Sequence, residues 1–374
     1  MKLSNVVVVH ETEEAARRRL VAFGYGPEIA AEIAVYLGQS TDLPDFFDEI
    51  AAAGARAGLA IDFVELDDWP ARLAEFAPIA ETTMVCSITD GIRYYRGSSV
   101  SALSRLTGFA HFGSAATAQH LCQDKFASLA LASSAGLRIA PTRLMQGADE
   151  IAALGEVRAP YFVKPNTLGA KIGIFADSRC ATLEEARERC ARLWERYRDR
   201  ALIQPFVAGD DVRVSFLDTG GEFSRQLGVD RLRKDPASET GGAFMTMKDN
   251  ETLSGARDTF GARGGFGAAR AAAFTPTMTD LKRAVDDGSR RAVGEITEMA
   301  ARLARLVGLR DLFAMDFRVD GEGRPTFLEF EVCPGITIYD FQNYLSTVHG
   351  LGLGDALAKS FLNAFDRARE IGEA

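Results

Sequence analysis

The sequence predicts an α/β protein made of more than one folding unit. Three observations lead there. A chain of 374 residues is longer than one hydrophobic core usually serves. Over about the first 115 residues, short apolar runs alternate with helical patterns, as in a parallel sheet with crossover helices. Near the other end, residues 313–324 (FAMDFRVDGEGR) and 327–337 (FLEFEVCPGIT) alternate apolar and polar positions on either side of Asp320-Gly321-Glu322-Gly323. That pattern is a β-hairpin, and so an antiparallel pair.

In chain order, residues 6–9 (VVVV) are a buried-strand signal bounded by polar residues. Helical patterns follow at residues 27–37 and 43–58, and strand signals at 61–66 and 84–88. The last of these ends in Thr89-Asp90-Gly91, with Arg93 beyond. Carboxyl ends of parallel strands commonly face a ligand crevice, although Asp-Gly is equally a plain turn. Gln123-Asp124-Lys125-Phe126 opens a helix that Gly136 closes. Residues 161–165 (YFVKP) read as a strand ending in lysine, followed by a loop at 166–173 and a short strand to Ala176. Thr182 and Glu185 form a capping box for a helix through Trp194 and Tyr197. Residues 202–207 (LIQPFV) are a strand stopping at Pro205; Gly209-Asp210-Asp211 is a turn, and 212–217 a further strand. Residues 231–279 are rich in Gly, Ala, Arg and Thr, with little periodicity, which in so long a segment usually means function or mobility. Val293, Ile296, Leu303 and Leu306 mark a helix over 281–307 that Gly308 ends, and 354–371 read as the last helix.

Hydrophobic content of 47% and charged content of 25% are ordinary for a globular protein. A net charge of -9 argues against nucleic-acid or anionic-membrane partners, while leaving room for a small basic pocket. Five dispersed cysteines fit free thiols in a reducing compartment. The opening apolar run is too short for a signal peptide, and no run reaches membrane-span length, so the expected location is cytoplasmic.

In the hairpin, Asp316 and Arg318 share one face, and Met315, Phe317 and Val319 the other. Glu329 and Glu331 oppose Leu328, Phe330 and Val332. A two- or four-residue turn pairs even positions of the first arm with odd positions of the second. Asp316, Glu329 and Glu331 then lie on one surface. Three carboxylates so placed repel unless a cation joins them, and hard oxygen ligands suit Mg²⁺, with Mn²⁺ as second choice. The plainer alternative is an exposed acidic face. Lys164 ends an apolar strand beside a loop in which Gly169 and Gly173 let backbone N–H groups approach an anion, and Lys171 adds charge. Here too a plain hairpin is the alternative. Cys333 has no base nearby in sequence and reads as a packing residue. His10, His111, His120 and His349 show no metal-ligand spacing, and His10 is a candidate for lining a substrate crevice.

The order of these pieces is similar to that of the ATP-grasp superfamily, in its D-alanine–D-alanine ligase-like branch. The segments that carry the resemblance are QDKFASLALASSAGLRIAPT, YFVKPNTLGAKIGI, LIQPFVAGDDVRVSFLD and LFAMDFRVDGEGRPTFLEFEVCPGIT, within residues 89–337. The resemblance implies a Rossmann-like N-terminal domain at 1–118, a central lid subdomain at 119–203 and a C-terminal subdomain with the metal site at 204–374. The fold is then α/β overall and α+β in the two-subdomain ATP-grasp part. It further implies that Lys125 and Lys164 contact ATP phosphates and that the loop with Gly169 and Lys171 closes over them. Gln204, Pro205, Phe206 and Val207 would read adenine, Asp211 the ribose, and Asp316, Glu329 and Glu331 would hold Mg²⁺. A homodimer is implied as well.

Two departures concern the metal and the chemistry. Glu331 stands where the family has Asn, and Ala314 where the ligases place an oxyanion-directed Arg. Arg318, on the same expected face, is the first candidate to take over, with Arg213 and Arg231 behind it. The first strand ends VVVVHETEEA, with His10, Glu11 and Glu13 in place of a glycine-rich end. The stretch after Pro334-Gly335 reads Ile336-Thr337-Ile338-Tyr339-Asp340 in place of a serine-rich one. Both argue against D-alanine as substrate. The implied activity joins a small carboxylic acid, such as an amino acid, to an amine through an acylphosphate, releasing ADP and phosphate. Intramolecular capture giving a ring, and an ATP-binding protein without ligase activity, are the alternatives.

Overall fold

The valines of the opening run build the first sheet. The computed structural model describes residues 2–41, 43–89, 96–223, 226–233, 240, 243–247 and 277–370. Strands β1 (Asn5–His10), β2 (Ala60–Glu65), β3 (Thr83–Ile88) and β4 (Ala110–Phe112) are parallel, in the order β2-β1-β3-β4. Successive valines alternate faces. Val6 and Val8 pack with Ile50 of α3 (Phe47–Arg56) and Phe361 of α11 (Leu353–Glu370). Val7 and Val9 pack with Trp69 of α4 (Trp69–Phe76) and Val100 of α5 (Arg96–Leu106). Helix α11 thus belongs spatially to the first sheet although it closes the chain.

Sequence reading assigned no helix to α1 (Glu13–Ala22), because its buried positions Ala15 and Ala16 carry little hydrophobic signal. Thr12 caps it, its Oγ1 accepting from Ala15 N at 3.3 Å. With α2 (Pro27–Thr41), this helix leaves the first sheet and packs through Ala16, Leu20, Tyr25 and Ile33 onto the second.

That second sheet has the order β6-β5-β9-β7-β8. Its strands are β5 (Thr142–Gln146), β6 (Asp149–Leu154), β7 (Tyr161–Pro165), β8 (Arg179–Cys180) and β9 (Ala201–Pro205), with antiparallel pairing throughout. Strand β6 was not foreseen, and the strand expected up to Ala176 is instead a turn of 3₁₀ helix at Ala176–Ser178. Helix α8 (Leu183–Tyr197) covers the sheet and carries the expected capping box of Thr182 and Glu185. Strand β9 crosses the expected boundary at 203, so the passage to the third sheet begins after Pro205.

The third sheet, also antiparallel, has the order β12-β11-β10-β13-β14. Its strands are β10 (Asp210–Leu217), β11 (Gly228–Arg233), β12 (Thr277–Asp280), β13 (Leu312–Val319) and β14 (Pro325–Glu331). One face packs on α6 (Ala116–Cys122), α7 (Lys125–Ser134) and α9 (Asp287–Val307) through Val214, Leu129, Ile296 and Phe330. Helix α9 starts at Asp287, capped by Asp286, and the expected residues 281–283 are a separate 3₁₀ turn. In the hairpin Asp316 faces Glu329 and Ala314 faces Glu331, and the ladder shifts between Asp316 and Phe317. Phe327, not Leu328, opposes Phe317 and is fully buried. Such a bulge lets one strand change which residues face the core. Leu328, expected on the apolar face, instead lines a cavity. Most of residues 231–279, with Asp90, Gly91 and Arg93, lie outside the described residues. No described helix is long and apolar enough to cross a membrane.

Candidate active site

The cavity, of about 390 Å³, opens between the second and third sheets. From the second come Lys164, Gly169 and Lys171; from the third, Asp316, Glu329 and Glu331; and from the link between them, Phe206. Every cofactor-binding or metal residue expected from sequence lines it: Lys125, Lys164, Gly169, Lys171, Gln204, Pro205, Phe206, Val207 and Asp211, with the three carboxylates.

At its carboxylate end the decisive side chain is Arg213, in register opposite Asp316 on the neighbouring strand. Its Nη1 donates to both Asp316 oxygens at 3.0 Å, and Nη2 donates to Glu331 Oε2 at 2.6 Å. Nε lies 2.6 Å from Asp340 Oδ2, at the start of α10 (Tyr339–Tyr344). Burial opposes the Arg213 charge, but Asp316, Glu331 and Asp340 outweigh it and hold its pKa well above the ordinary value. Lys125 Nζ sits 3.3 Å from Glu329 Oε2 and donates to Leu168 O at 2.9 Å. Protein cations therefore hold the three acids. Among the described residues, no three His, Cys, Asp or Glu side chains converge on a metal position.

Burial and neighbouring charges divide the acids. Burial raises Asp316 to about 7; Arg213 opposes the shift, and Glu331 and Glu329 reinforce it. Burial alone would raise Glu329 too, yet Lys125 and Lys164 bring it below its ordinary value. Lys164 is pushed down by burial despite Glu329, whereas at Lys125 the pull of Glu329 and Asp199 outweighs burial. One or two carboxylate oxygens suit a hard divalent ion that draws its other ligands from phosphates.

The glycine-containing loop of the cavity is held by a residue that sequence reading missed. Asp199, just past α8, is buried; its Oδ2 accepts from Thr167 N and Leu168 N at 2.9 and 3.1 Å, and its Oδ1 from Thr167 Oγ1 at 2.8 Å. No local pattern marks it, because the loop it holds is 32 residues away. Asn166 Oδ1 accepts from Phe126 N at 2.9 Å, joining this loop to the start of α7 and so to Lys125. Ala170, Lys171 and Gly173 take left-handed backbone, and a Cβ on Gly173 would meet Pro165 Cγ at 2.6 Å.

The other end is flat and apolar. Phe162 and Phe244 meet edge to face at 5.0 Å, and Phe206 lies 6.0 Å from each of them. Gln204 Nε2 donates to Thr142 Oγ1 at 2.8 Å. Arg318 is at this end, not among Asp316, Glu329 and Glu331. Nη1 donates to Asp211 Oδ1 at 2.5 Å, Nε to Val207 O at 3.1 Å and Nη2 to Ala243 O at 3.0 Å. Away from the cavity, Glu11 pairs with buried Arg19 and accepts from Thr89 Oγ1 at 3.3 Å, while His10 packs on Phe47 at 4.9 Å. Cys333 Sγ donates to Ser87 O at 3.2 Å and is buried at the cavity wall.

No protein-family model matches the sequence. A D-alanine–D-alanine ligase of Gloeobacter violaceus is 26% identical over 276 residues, 72% of this chain and 76% of that relative. One from Citrifermentans bemidjiense is 30% identical over 151 residues, 40% of this chain and 46% of that relative. The crystal structure of a D-alanine–D-alanine ligase from Bacillus anthracis complexed with ATP superimposes at TM-score 0.63, covering 99% of both chains at 12% identity. The chain is similar in sequence to D-alanine–D-alanine ligases and shares their ATP-grasp fold. The match spans about half the length of the first curated relatives, 46% and 58%. The first sheet is parallel, and the two antiparallel sheets lie on either side of the cavity.

Proposed function

We propose that the chain is an ATP- and Mg²⁺-dependent carboxylate–amine ligase. The observation that carries this reading is the pairing of two buried lysines with an acidic strand face across one cavity that ends in an aromatic slot. A carboxylate oxygen of the acid attacks the γ-phosphorus of ATP, and ADP leaves. The amine nitrogen then attacks the acyl carbon, a C–N bond forms, and phosphate leaves with the electron pair of the broken C–O bond. Positioning and charge neutralisation supply most of the rate.

Lys125 and Lys164 neutralise phosphate oxygens, and the loop held by Asp199 shields them from water. Phe206, Phe162 and Phe244 flank the adenine, Gln204 and the Val207 backbone read its edge, and Asp211, fixed by Arg318, meets the ribose. Asp316 and Glu329, with Glu331 alongside, would hold Mg²⁺, and it would supply charge compensation for the phosphates. Because Arg318 lies at the aromatic end, on Asp211 and Val207, whereas Arg213 stands among the carboxylates, we assign the acyl oxygen to Arg213 instead.

The acid is an amino acid or a similar small carboxylic acid. D-alanine is disfavoured, since Glu11 is engaged by Arg19 and Asp340 stands after Pro334-Gly335. The setting is the cytoplasm, and the assembly a homodimer. Phosphate release with amino-acid and amine pools, and mass spectrometry of the products, test the assignment. Lys164→Ala is expected to lower amine-dependent phosphate release by about 100-fold or more. Unchanged release in that variant would remove the ligase reading and leave an ATP-binding protein.

A further inference from the structure

Arg213 uses all three of its guanidinium nitrogens on carboxylates: Nη1 on Asp316, Nη2 on Glu331 and Nε beside Asp340. Asp316 and Glu331 are two of the acids assigned to the metal, so a charged group of the chain already stands among the ligands. Lys125 holds the third acid, Glu329. Over the cavity lining, five acids (Asp211, Asp316, Glu329, Glu331, Asp340) face five bases (Lys125, Lys164, Lys171, Arg213, Arg318), so the side-chain charges already balance. A divalent ion arriving alone would have to displace a buried guanidinium that bridges Asp316 and Glu331, with little net charge to gain. An ion arriving with a nucleotide brings negative charge that draws Lys125, Lys164 and Arg213 towards the phosphates and frees the acids.

We propose that Arg213 is a built-in counter-ion. It occupies the carboxylate set while no nucleotide is bound, refuses a bare metal ion, and gives the acids up only to metal and nucleotide together. This inference rests on the ATP-ligase reading of the same cavity. Arg213 lies on β10, while the position across from Glu331 on β13 is Ala314, whose small side chain leaves room for the guanidinium to reach Glu331.

The test is Mn²⁺ binding followed by electron paramagnetic resonance, with Mn²⁺ alone and with Mn²⁺ plus a non-hydrolysable ATP analogue. The wild-type protein is expected to bind Mn²⁺ tightly only with the analogue. Arg213→Gln, which leaves the acids without their cation, is expected to bind Mn²⁺ alone at least about tenfold more tightly than wild type. Because that variant is less stable, its melting temperature is read as well. Added Mn²⁺ should raise it by several degrees, with a much smaller rise in wild type. Arg213→Lys, with one point charge, should fall between the two. Equal Mn²⁺ affinity and equal thermal response in wild type and Arg213→Gln would overturn the counter-ion role while leaving nucleotide binding intact. Absence of any metal-dependent nucleotide binding in wild type would instead overturn the ligase reading, and the counter-ion role with it.

Discussion

A single buried carboxylate organises the glycine-containing loop of the cavity. Asp199 takes up two backbone N–H groups and one hydroxyl of a loop that has no regular structure of its own. Buried donors left without an acceptor are costly, and bonds to a charged acceptor are among the stronger ones. Asp199→Ala is therefore expected to lower stability by about 2 kcal/mol. It should also raise the KM for ATP more than it lowers kcat, since the proposed role of the loop is to position phosphates. Urea melts and initial-rate kinetics check the two halves separately, and an unchanged KM would leave Asp199 with a purely structural role. His111 makes a second case. It is buried in β4 and pushed from an ordinary 6.5 to about 3 by burial, with Arg310 and Arg105 adding to the effect. Above pH 6.5 neither folded nor unfolded chain protonates it. Between 6.5 and about 3 only the unfolded chain does, so stability falls with pH by up to about 1.4 kcal/mol per unit on its account. His111→Gln should flatten that part of the curve. Urea unfolding of both proteins at a series of pH values measures the difference, and parallel curves would contradict it.

Among the elements, the joint between the two antiparallel sheets is the most constrained. Gly209 precedes β10 with φ +138°, and a Cβ there would meet the carbonyl oxygen of Val319 at 2.1 Å. The contact is backbone, which cannot rotate away. Gly209→Ala should cost about 3 kcal/mol or more and disturb the Asp211–Arg318 pair beside it. A shift in the urea midpoint together with weaker adenine-nucleotide binding is the expected result; a shift of less than a few tenths of molar urea would refute it. The hairpin shows the same economy in another form. Its bulge keeps Phe327 and Phe330 in the core while Leu328 turns to the cavity and Glu329 stays opposite Asp316.

Over the whole molecule, the three sheets are tied by elements that cross between them. Helices α1 and α2 leave the parallel sheet to pack on the second sheet, where Tyr25 Oη donates to Tyr197 O at 3.0 Å and Tyr197 Oη to Glu32 at 2.7 Å. Helix α11 returns from the end of the chain to α3, and Asp311 beside the third sheet accepts from Gly113 N at 2.8 Å and pairs with Arg367. The cavity thus lies between sheets that are each anchored to the first part of the chain.

Much of this was legible in the residues alone. Period-two alternation in the hairpin, the valine run of β1, the capping box before α8 and the lysine at the end of β7 are local patterns, and local sterics and burial decide them. The acidic face at Asp316, Glu329 and Glu331 follows from strand register, which a turn and an apolar face dictate. Helix α1 and strand β6 were not legible, since their sequences carry almost no amphipathic signal. Nor was the grip of Asp199 on a loop 32 residues distant. The partner of Arg318 was missed because two residues along a strand separate one end of a cavity from the other. The chain by itself determined which residues bear charge and which strand face they occupy, because periodicity is a property of neighbours in sequence. Only the tertiary structure decided that Arg213 pairs with those acids and Arg318 with the hinge. Which cation meets which carboxylate depends on strands brought side by side from more than a hundred residues apart.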